Sequence, residues 1–401
     1  MTDKIKLLSL FSGVGAFECA LDRLGVPYEL VGYCEIDRFA AKSYAAVHGV
    51  SEDLNFKDVT TLLNPPECDM ITYGFPCQDI STAGRQRGFE HDGERTRSGL
   101  FFEALRIIET AKPKYAICEN VKNLTGKKFK KEFETVLSSL EEAGYRNYWE
   151  VLNAKDFNVP QNRERVFIVS IRKDIGDVYF FPEKVELQKR LKDVLEETVD
   201  EKFYLSDKAI TTKTGGRSTD TYIKQVGNIV ETDSFGGNPQ RGRVYDAAGI
   251  SPALNTCQGG GLEPKIIEPF IAAMRGRNPD NPSDRTAGAP TAHAPKVIID
   301  DTMGFQTDVS PCLIATDYKA PECTLTPEMR IRKLTPLECW RLMGFTDEEF
   351  KRAADAGTSN SQLYKQAGNS IVVDVLVAIF GKLFKTDAVA ETPKSGQLSL
   401  F

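Results

Sequence analysis

Residues 69–78 read Asp-Met-Ile-Thr-Tyr-Gly-Phe-Pro-Cys-Gln, a short apolar strand (70–73) that breaks at once into Gly74-Phe75-Pro76-Cys77-Gln78. Glycine frees the backbone for a sharp turn, and proline fixes its own φ and biases Phe75 toward an extended shape. The result is a rigid ledge holding one thiol at the carboxyl end of a strand. In an open α/β sheet that is where ligands bind. Read alone, Cys77 is equally a buried structural cysteine or a nucleophile, because sulfur attacks well even when little of it is thiolate. The flanking residues decide.

The chain has 401 residues, room for two or three domains and a substantial core. Hydrophobic residues make up 41% and charged residues 27%, the balance of an ordinary globular protein. No apolar run approaches the roughly 20 residues needed to span a membrane, and residues 7–11 read as a first strand, not a signal peptide. Nine cysteines without a Cys-x-x-Cys pair, beside three histidines, argue against a disulfide framework or a metal site and point to the cytoplasm. A net charge of −6 does not announce a nucleic-acid binder, so any DNA-facing positive surface must be local.

Residues 6–11 read as a buried strand that enters Ser12-Gly13-Val14-Gly15-Ala16 and then a helix over 17–24. Strand, glycine turn and helix make a nucleotide-type corner, although Gly-x-Gly alone is weak. The next strand, 28–34, ends at Glu35-Ile36-Asp37, where an acid can accept hydrogen bonds from ribose hydroxyls. A third apolar piece ends at Asp58-Val59, which offers a carboxylate to an adenine amino group. Each acid could instead cap a helix; together they fit an adenosine-containing cofactor.

After Cys77 come some twenty polar, glycine-punctuated residues with Arg85, Arg87, Arg95 and Arg97. A loop this long and aperiodic is usually functional or disordered, and its arginines suit phosphate contact and closure over a substrate. A helix over 99–111 and a strand over 115–118 follow, placing Glu119 at a strand end. Lys122, Lys127, Lys128, Lys130 and Lys131 form the densest basic cluster, either a solvated face or a phosphate-binding one. Arg163 and Arg165 precede the apolar strand 166–171. Buried there, an arginine must find a carboxylate or an anionic ligand, and Glu119 is the obvious candidate.

Taken in order, these motifs resemble those of the bacterial and phage DNA (cytosine-5)-methyltransferases over nearly the whole chain. They are Phe11-Ser-Gly-Val-Gly15, Glu35, Asp58-Val59, Gly74-Phe-Pro-Cys-Gln78, Ser98-Gly-Leu-Phe-Phe102, Glu119-Asn-Val121 and Gln161-Asn-Arg-Glu-Arg-Val166. Arg332-Lys-Leu-Thr-Pro-x-Glu338-x-x-Arg341-Leu-Met-Gly-Phe345 and Gln366-Ala-Gly-Asn-Ser-Ile371 complete the set. Two positions depart from the family pattern: Ala16 replaces a second glycine, and Ile36 replaces an aromatic beside the adenine.

The resemblance implies that Cys77 adds to carbon 6 of cytosine, Glu119 holds N3 and the exocyclic amine, and Arg163 and Arg165 hold the base and the carboxylate. Carbon 5 then takes a methyl group from S-adenosyl-L-methionine. The implied cofactor set is Phe11, Gly13, Gly15, Glu35, Ile36, Asp58, Val59, Pro76, Leu100 and Asn369. The target base must leave the duplex, with residues 79–97 as lid. Gln78, Ser81, Arg85, Arg87 and Arg97 would then face the DNA, joined by Arg241 and Arg243.

Periodicity fades from 172 to 329, where short β segments and long loops are expected. Ile250-Ser-Pro-Ala-Leu254 recurs as Val309-Ser-Pro-Cys-Leu313, by chance or as two similar strand-gripping loops. Thr335-Pro336 opens a helix, proline taking its first position. The expected fold is an α/β, Rossmann-like S-adenosylmethionine-dependent methyltransferase domain (1–171 and 330–385, discontinuous) with a smaller, mostly β and loop target-recognition domain (172–329) and a flexible tail (386–401).

That tail ends in Gln397-Leu398-Ser399-Leu400-Phe401, which resembles the short peptide by which bacterial replication and repair proteins hold the sliding clamp. The alternative is that Phe401 folds back onto the protein's own surface. The expected protein is a monomeric enzyme of the bacterial cytoplasm and nucleoid acting on duplex DNA. A tRNA cytosine-5 methyltransferase and a catalytically silent DNA-binding protein are the rival readings.

Overall fold

A computed structural model describes residues 4–80, 87–205, 222–230, 240–257, 262–270, 297–300, 304–307 and 328–386. Strand β1 (Ile5–Leu10) is apolar on both faces, as a strand covered by helices on each side must be. It leads through a glycine turn into α1 (Ala16–Arg23), then β2 (Tyr28–Cys34), α2 (Arg38–His48) and β3 (Met70–Tyr73). Next come α3 (Phe101–Ala111), β4 (Tyr115–Val121), α4 (Lys130–Glu142), β5 (Tyr145–Asn153) and β6 (Glu164–Arg172).

These strands form one six-stranded sheet in the order β2-β1-β3-β4-β6-β5. The first four run parallel, and β6 lies antiparallel between β4 and β5. Leu7 faces the apolar cluster that includes Phe17 and Phe380; Leu8 and Leu10 face the one that includes Phe101 and Val136. The chain crosses from β2 on one side of β1 to β3 on the other, so the crevice beyond their carboxyl ends is the topological switch point. Residues 11–15 and 74–77 both leave the sheet there.

The strand expected over 115–118 continues to Val121, because β6 pairs with it to the end: Glu119 lies opposite Phe167 and Val121 opposite Arg165. Glu119 is therefore fixed within a sheet and is not carried on a loop.

A second sheet is built from short strands, β7 (Gln225–Asn228), β8 (Arg243–Asp246), β9 (Lys265–Phe270) and β10 (Glu328–Lys333), in that order. Two-residue strands Gln161–Asn162 and Ser251–Pro252 pair alongside. The second copy of the Ser-Pro repeat, 309–313, lies outside the described residues, as do Ser81, Arg85 and the tail 387–401.

The chain returns through α5 (Pro336–Leu342), α6 (Asp347–Asp355), α7 (Asn360–Asn369) and α8 (Val373–Phe384). Arg332 joins the second sheet to α5. Fully buried, it donates to Glu338 and Glu268 at 2.8 Å, while Glu338 also accepts from the Thr335 backbone at 2.7 Å as a capping box.

Asn360–Phe384 passes a length-and-composition test for crossing a membrane. It consists of two helices broken at residues 370–372, and α8 buries Val373, Val375, Leu376, Ile379 and Phe380 in the core. The Phe380 ring packs 6.2 Å from that of Phe17 on α1.

Candidate active site

The thiol of Cys77 stands on a ledge whose three carbonyls are all bonded. The Asn120 side-chain amide donates to Phe75 O at 2.9 Å, Ser98 Oγ to Pro76 O at 2.8 Å and the Ile80 backbone to Cys77 O at 2.9 Å. Asn120 and Ser98 are buried, so these bonds compete little with water. Phe75 packs its ring 5.5 Å from that of Phe101. The ledge is thus held from β4, from the entry of α3 and from beneath, with Cys77 partly exposed at its lip.

Glu119 reaches this ledge from β4. A Cβ built on Gly74 would lie 3.5 Å from Glu119 Oε2, an ordinary contact distance, so the carboxylate lies directly against the turn. Arg165 Nε pairs with Glu119 Oε1 at 2.9 Å, as expected of the arginine that precedes a buried strand. Burial pushes the Cys77 thiol above its usual value and Glu119 adds to the rise, while Arg165 and Arg163 oppose it. Burial likewise holds the Glu119 acid above the usual carboxylate range, against both arginines. The site keeps a carboxyl group inclined to hold a proton beside a thiol inclined to do the same.

Arg163 departs from expectation. Among the described residues its guanidinium bonds no carboxylate. It donates to Leu254 O at 3.0 Å, Gly368 O at 2.9 Å and Ser370 O at 2.7 Å, leaving Nε buried without a hydrogen-bond partner. The reason is geometric: Arg163 precedes β6 on the side where the 254 segment meets the end of α7. A Cβ on Gly368 would stand 2.1 Å from Asn255 O, so those two backbones touch.

The cofactor corner is assembled from three strand ends. Glu35 accepts from Gly13 N at 2.9 Å and Asp37 N at 2.8 Å, and its backbone is fixed by Asn55 at 3.0 and 2.9 Å. Phe11 and Gly13 both adopt positive φ, and nothing lies within 4 Å of a Cβ built on Gly13. Gly15, at φ +84°, has no such room: a Cβ would fall 2.0 Å from His48 Nε2. Ile36 is 74% exposed beside Glu35. Open space over Gly13, an apolar side chain standing free and a fixed carboxylate fit an adenosyl group.

Asp58, expected to meet adenine, also caps a turn, accepting from Thr60 N at 2.9 Å and Thr60 Oγ1 at 2.8 Å. Val59 is buried, Pro76 and Leu100 are half-buried, and Asn369 is exposed at the end of α7. Helix α7 is tied to α2 by Gln366, which donates to Phe39 O at 3.1 Å, and by the Lys365–Asp37 ion pair.

Of the DNA-facing set, Gln78, Arg87, Arg97 and Arg241 are exposed and Arg243 is half-buried. Arg97 Nη1 donates to Gln78 Oε1 at 2.6 Å, joining the root of the lid to its far end. Arg95 is drawn back to the protein body, lying 4.9 Å over the Phe102 ring and 3.5 Å from Glu103. In the lysine cluster, Lys122 pairs with Glu164 at 2.7 Å and Lys130 with Glu134 at 3.5 Å.

The positioning roles of Ser98 and Asn120 escaped sequence reasoning. Their signal was membership of the motifs at 98–102 and 119–121, which says nothing of the carbonyls each one bonds.

The family model described as C-5 cytosine-specific DNA methylase matches residues 5–385. Orphan methyltransferase M.SPRI of Bacillus phage SPR is 37% identical, covering 96% of this chain and 98% of its own. Type II methyltransferase M2.ScrFI of Lactococcus lactis subsp. cremoris is 31% identical over 95% and 99%. Among solved structures, the S. pombe Dnmt2 methyltransferase superposes with a TM-score of 0.60 at 18% identity, covering 95% of this chain and 99% of that one. The Entamoeba histolytica methyltransferase EhMeth gives 0.60 at 15% over 96% and 99%. At those identities the likeness shows the fold.

Proposed function

The chain belongs to the C-5 cytosine-specific DNA methylase family, and from that premise we propose how its residues divide the work. It is a DNA (cytosine-5)-methyltransferase using S-adenosyl-L-methionine. The observation that carries the residue assignment is the Glu119–Arg165 pair, 2.9 Å apart, against the clamped Cys77 ledge.

Cys77 Sγ gives up its proton and adds to carbon 6 of the cytosine. The electron pair of the 5,6 double bond is drawn into the ring, where Glu119 supplies a proton to N3. Arg165 holds the carboxylate in place. Arg163 positions the ledge's surroundings through carbonyls and does not touch the base. S-adenosyl-L-methionine, when bound, supplies the methyl group that carbon 5 takes. Loss of the carbon-5 proton then expels Cys77 as thiolate. Phe11, Gly13, Gly15, Glu35, Ile36, Asp58, Val59, Pro76, Leu100 and Asn369 hold the cofactor.

The target cytosine is flipped from a specific duplex sequence, with residues 79–97 closing over it and Gln78, Ser81, Arg85, Arg87, Arg97, Arg241 and Arg243 on the DNA. Residues 1–171 with 330–385 make the catalytic domain and 172–329 the recognition domain. The second sheet, with its strands of four to six residues, supports a separate recognition unit, and its last strand, Glu328–Lys333, carries that unit past residue 330. The enzyme works in the cytoplasm, as a monomer on nucleoid DNA. Gln397, Leu398, Leu400 and Phe401 dock on a sliding clamp from the tail, which raises the local enzyme concentration on replicated DNA.

Methyl-labelled S-adenosyl-L-methionine offered with duplex DNA and with tRNA tests the reading. Label should enter the duplex, and Cys77→Ala should cut incorporation at least about 1,000-fold with cofactor affinity unchanged. Label entering tRNA alone would favour the RNA enzyme, and residual turnover within about tenfold would mean another nucleophile. Deleting residues 397–401 should abolish clamp capture and spare methylation of free oligonucleotides.

A further inference from the structure

The two acids of the cofactor corner, Glu35 and Asp58, lie on either side of α2 in the chain, and one half-buried side chain ties their segments together. Asn55 Oδ1 accepts from the Glu35 backbone N–H at 3.0 Å and from the Lys57 backbone N–H at 2.8 Å, while its Nδ2 donates to Glu35 O at 2.9 Å. This pattern fixes the amide's orientation, since only the oxygen can meet two N–H groups and only the nitrogen a carbonyl. Asn55 thus engages both backbone groups of Glu35 as a neighbouring strand would. It extends the parallel bridge between Tyr33 and Asn55, in which Phe56 N donates to Tyr33 O at 2.7 Å.

The bond to Lys57 reaches the turn that carries Asp58. Lys57 holds φ +63°, a left-handed conformation uncommon in residues with a side chain. The Asn55 oxygen secures that amide, and Asp58 follows at once. Both acids stand around the end of β2: the Cys34 thiol is pushed up to about 12 by burial, and then by the Asp58 and Glu35 charges. The ledge of Cys77, by contrast, is bonded by Asn120, Ser98 and Ile80 and takes nothing from Asn55.

We propose that Asn55 is a positioning residue of the cofactor site. It sets the spacing of the Glu35 and Asp58 carboxylates, so that the ribose hydroxyls and the adenine amino group of S-adenosyl-L-methionine are met together. The proposal rests on the assignment of those two acids to the cofactor. Acceptors fixed in advance favour binding, because less order is lost when the ligand arrives. The effect of Asn55 therefore falls on cofactor affinity and not on methyl transfer.

Calorimetric titration with S-adenosyl-L-methionine and steady-state methyl transfer to duplex DNA test this, with thermal melting checking each variant's fold. Asn55→Ala should weaken cofactor binding about tenfold and raise its KM alike, with kcat at saturating cofactor within about twofold of wild type. Lys57→Gly, which accepts the left-handed turn without help, should restore part of that affinity in the Asn55→Ala background. Asn55→Ala should also cost less affinity in a Glu35→Ala background than in wild type, because Asn55 acts through that acid. If Asn55→Ala fails to fold, Asn55→Asp carries the comparison: it keeps both accepted bonds, loses the donated one and should raise KM with kcat spared. The proposal is overturned, with the cofactor assignment intact, if Glu35→Ala and Asp58→Ala weaken binding while Asn55→Ala binds as wild type. It is equally overturned if Asn55→Ala lowers kcat with KM unchanged, if Lys57→Gly restores nothing, or if the Asn55 and Glu35 losses add in full. Wild-type binding by both Glu35→Ala and Asp58→Ala would overturn the cofactor assignment itself, and this proposal with it.

Discussion

The buried side-chain amide of Asn120 donates to the Phe75 carbonyl at 2.9 Å, so the residue after the proposed catalytic acid holds the turn that carries the proposed nucleophile. Glu119 and Cys77 leave different strands, and their relative position rests on this bond. Strand alternation turns Glu119 toward the site and Asn120 the other way, under the ledge.

Asn120→Ala should therefore damage chemistry through position. It leaves the Phe75 carbonyl unpartnered, at a cost of about 1–3 kcal/mol. A ledge released by a fraction of an ångström should lower kcat by up to about 100-fold. Thermal melting and single-turnover methyl transfer check both. A variant that melts early yet turns over at the wild-type rate would make Asn120 merely structural.

The second prediction concerns pH. Both Cys77 and Glu119 are raised by burial, and turnover by the proposed mechanism needs the first deprotonated and the second protonated. Below the Glu119 value the rate rises with pH as thiolate forms. Between the two values, gain of thiolate and loss of acid cancel, and above the thiol value the rate falls. Glu119→Gln removes the titrating acid. Its rate should be down by about 100- to 10,000-fold and should climb about tenfold per pH unit across the wild-type plateau. A variant with a flat profile would show that another group supplies the proton.

A third prediction separates two reasons for one glycine. Gly15→Ala places a methyl group into the His48 ring and forces an L-residue to φ +84°. The backbone strain alone costs about 1–3 kcal/mol, and the clash adds to it. Adding His48→Ala should recover the clash component and leave the strain. Cofactor affinity measured for both single variants and the double variant decides: no recovery would mean that the ring moves aside freely.

How far these relationships could be read beforehand depends on their reach along the chain. The Cys77 ledge was legible because glycine, proline and cysteine are adjacent, and turn chemistry is local. The Glu119–Arg165 pair was legible because a buried arginine has few acceptable partners. Asp58 was half-legible: the same short carboxylate that suits adenine also suits a cap, and here it bonds Thr60. The second sheet was read only as short β segments, because its strands span four to six residues and pair across long gaps. For Arg163 the acceptors are backbone carbonyls at 254, 368 and 370, and a carbonyl has no sequence signature.

Arg163 supplies the last prediction. It and Arg165 stand two residues apart, yet one bonds three carbonyls and the other the Glu119 carboxylate. Arg165→Met should leave Glu119 without its ion-pair partner and depress kcat strongly, with a modest fall in melting temperature. Arg163→Met should do the reverse in emphasis. Three buried carbonyls lose their donor, at about 1–3 kcal/mol each if none finds water, and the 254 segment is freed from the end of α7. Stability should fall by several kcal/mol, and DNA affinity should weaken as the recognition segment loses its anchor. Arg163→Lys, which can still donate to one or two of those carbonyls, should restore part of the stability. If Arg163→Met instead melted near wild type and lost only kcat, the guanidinium would belong to the chemistry after all.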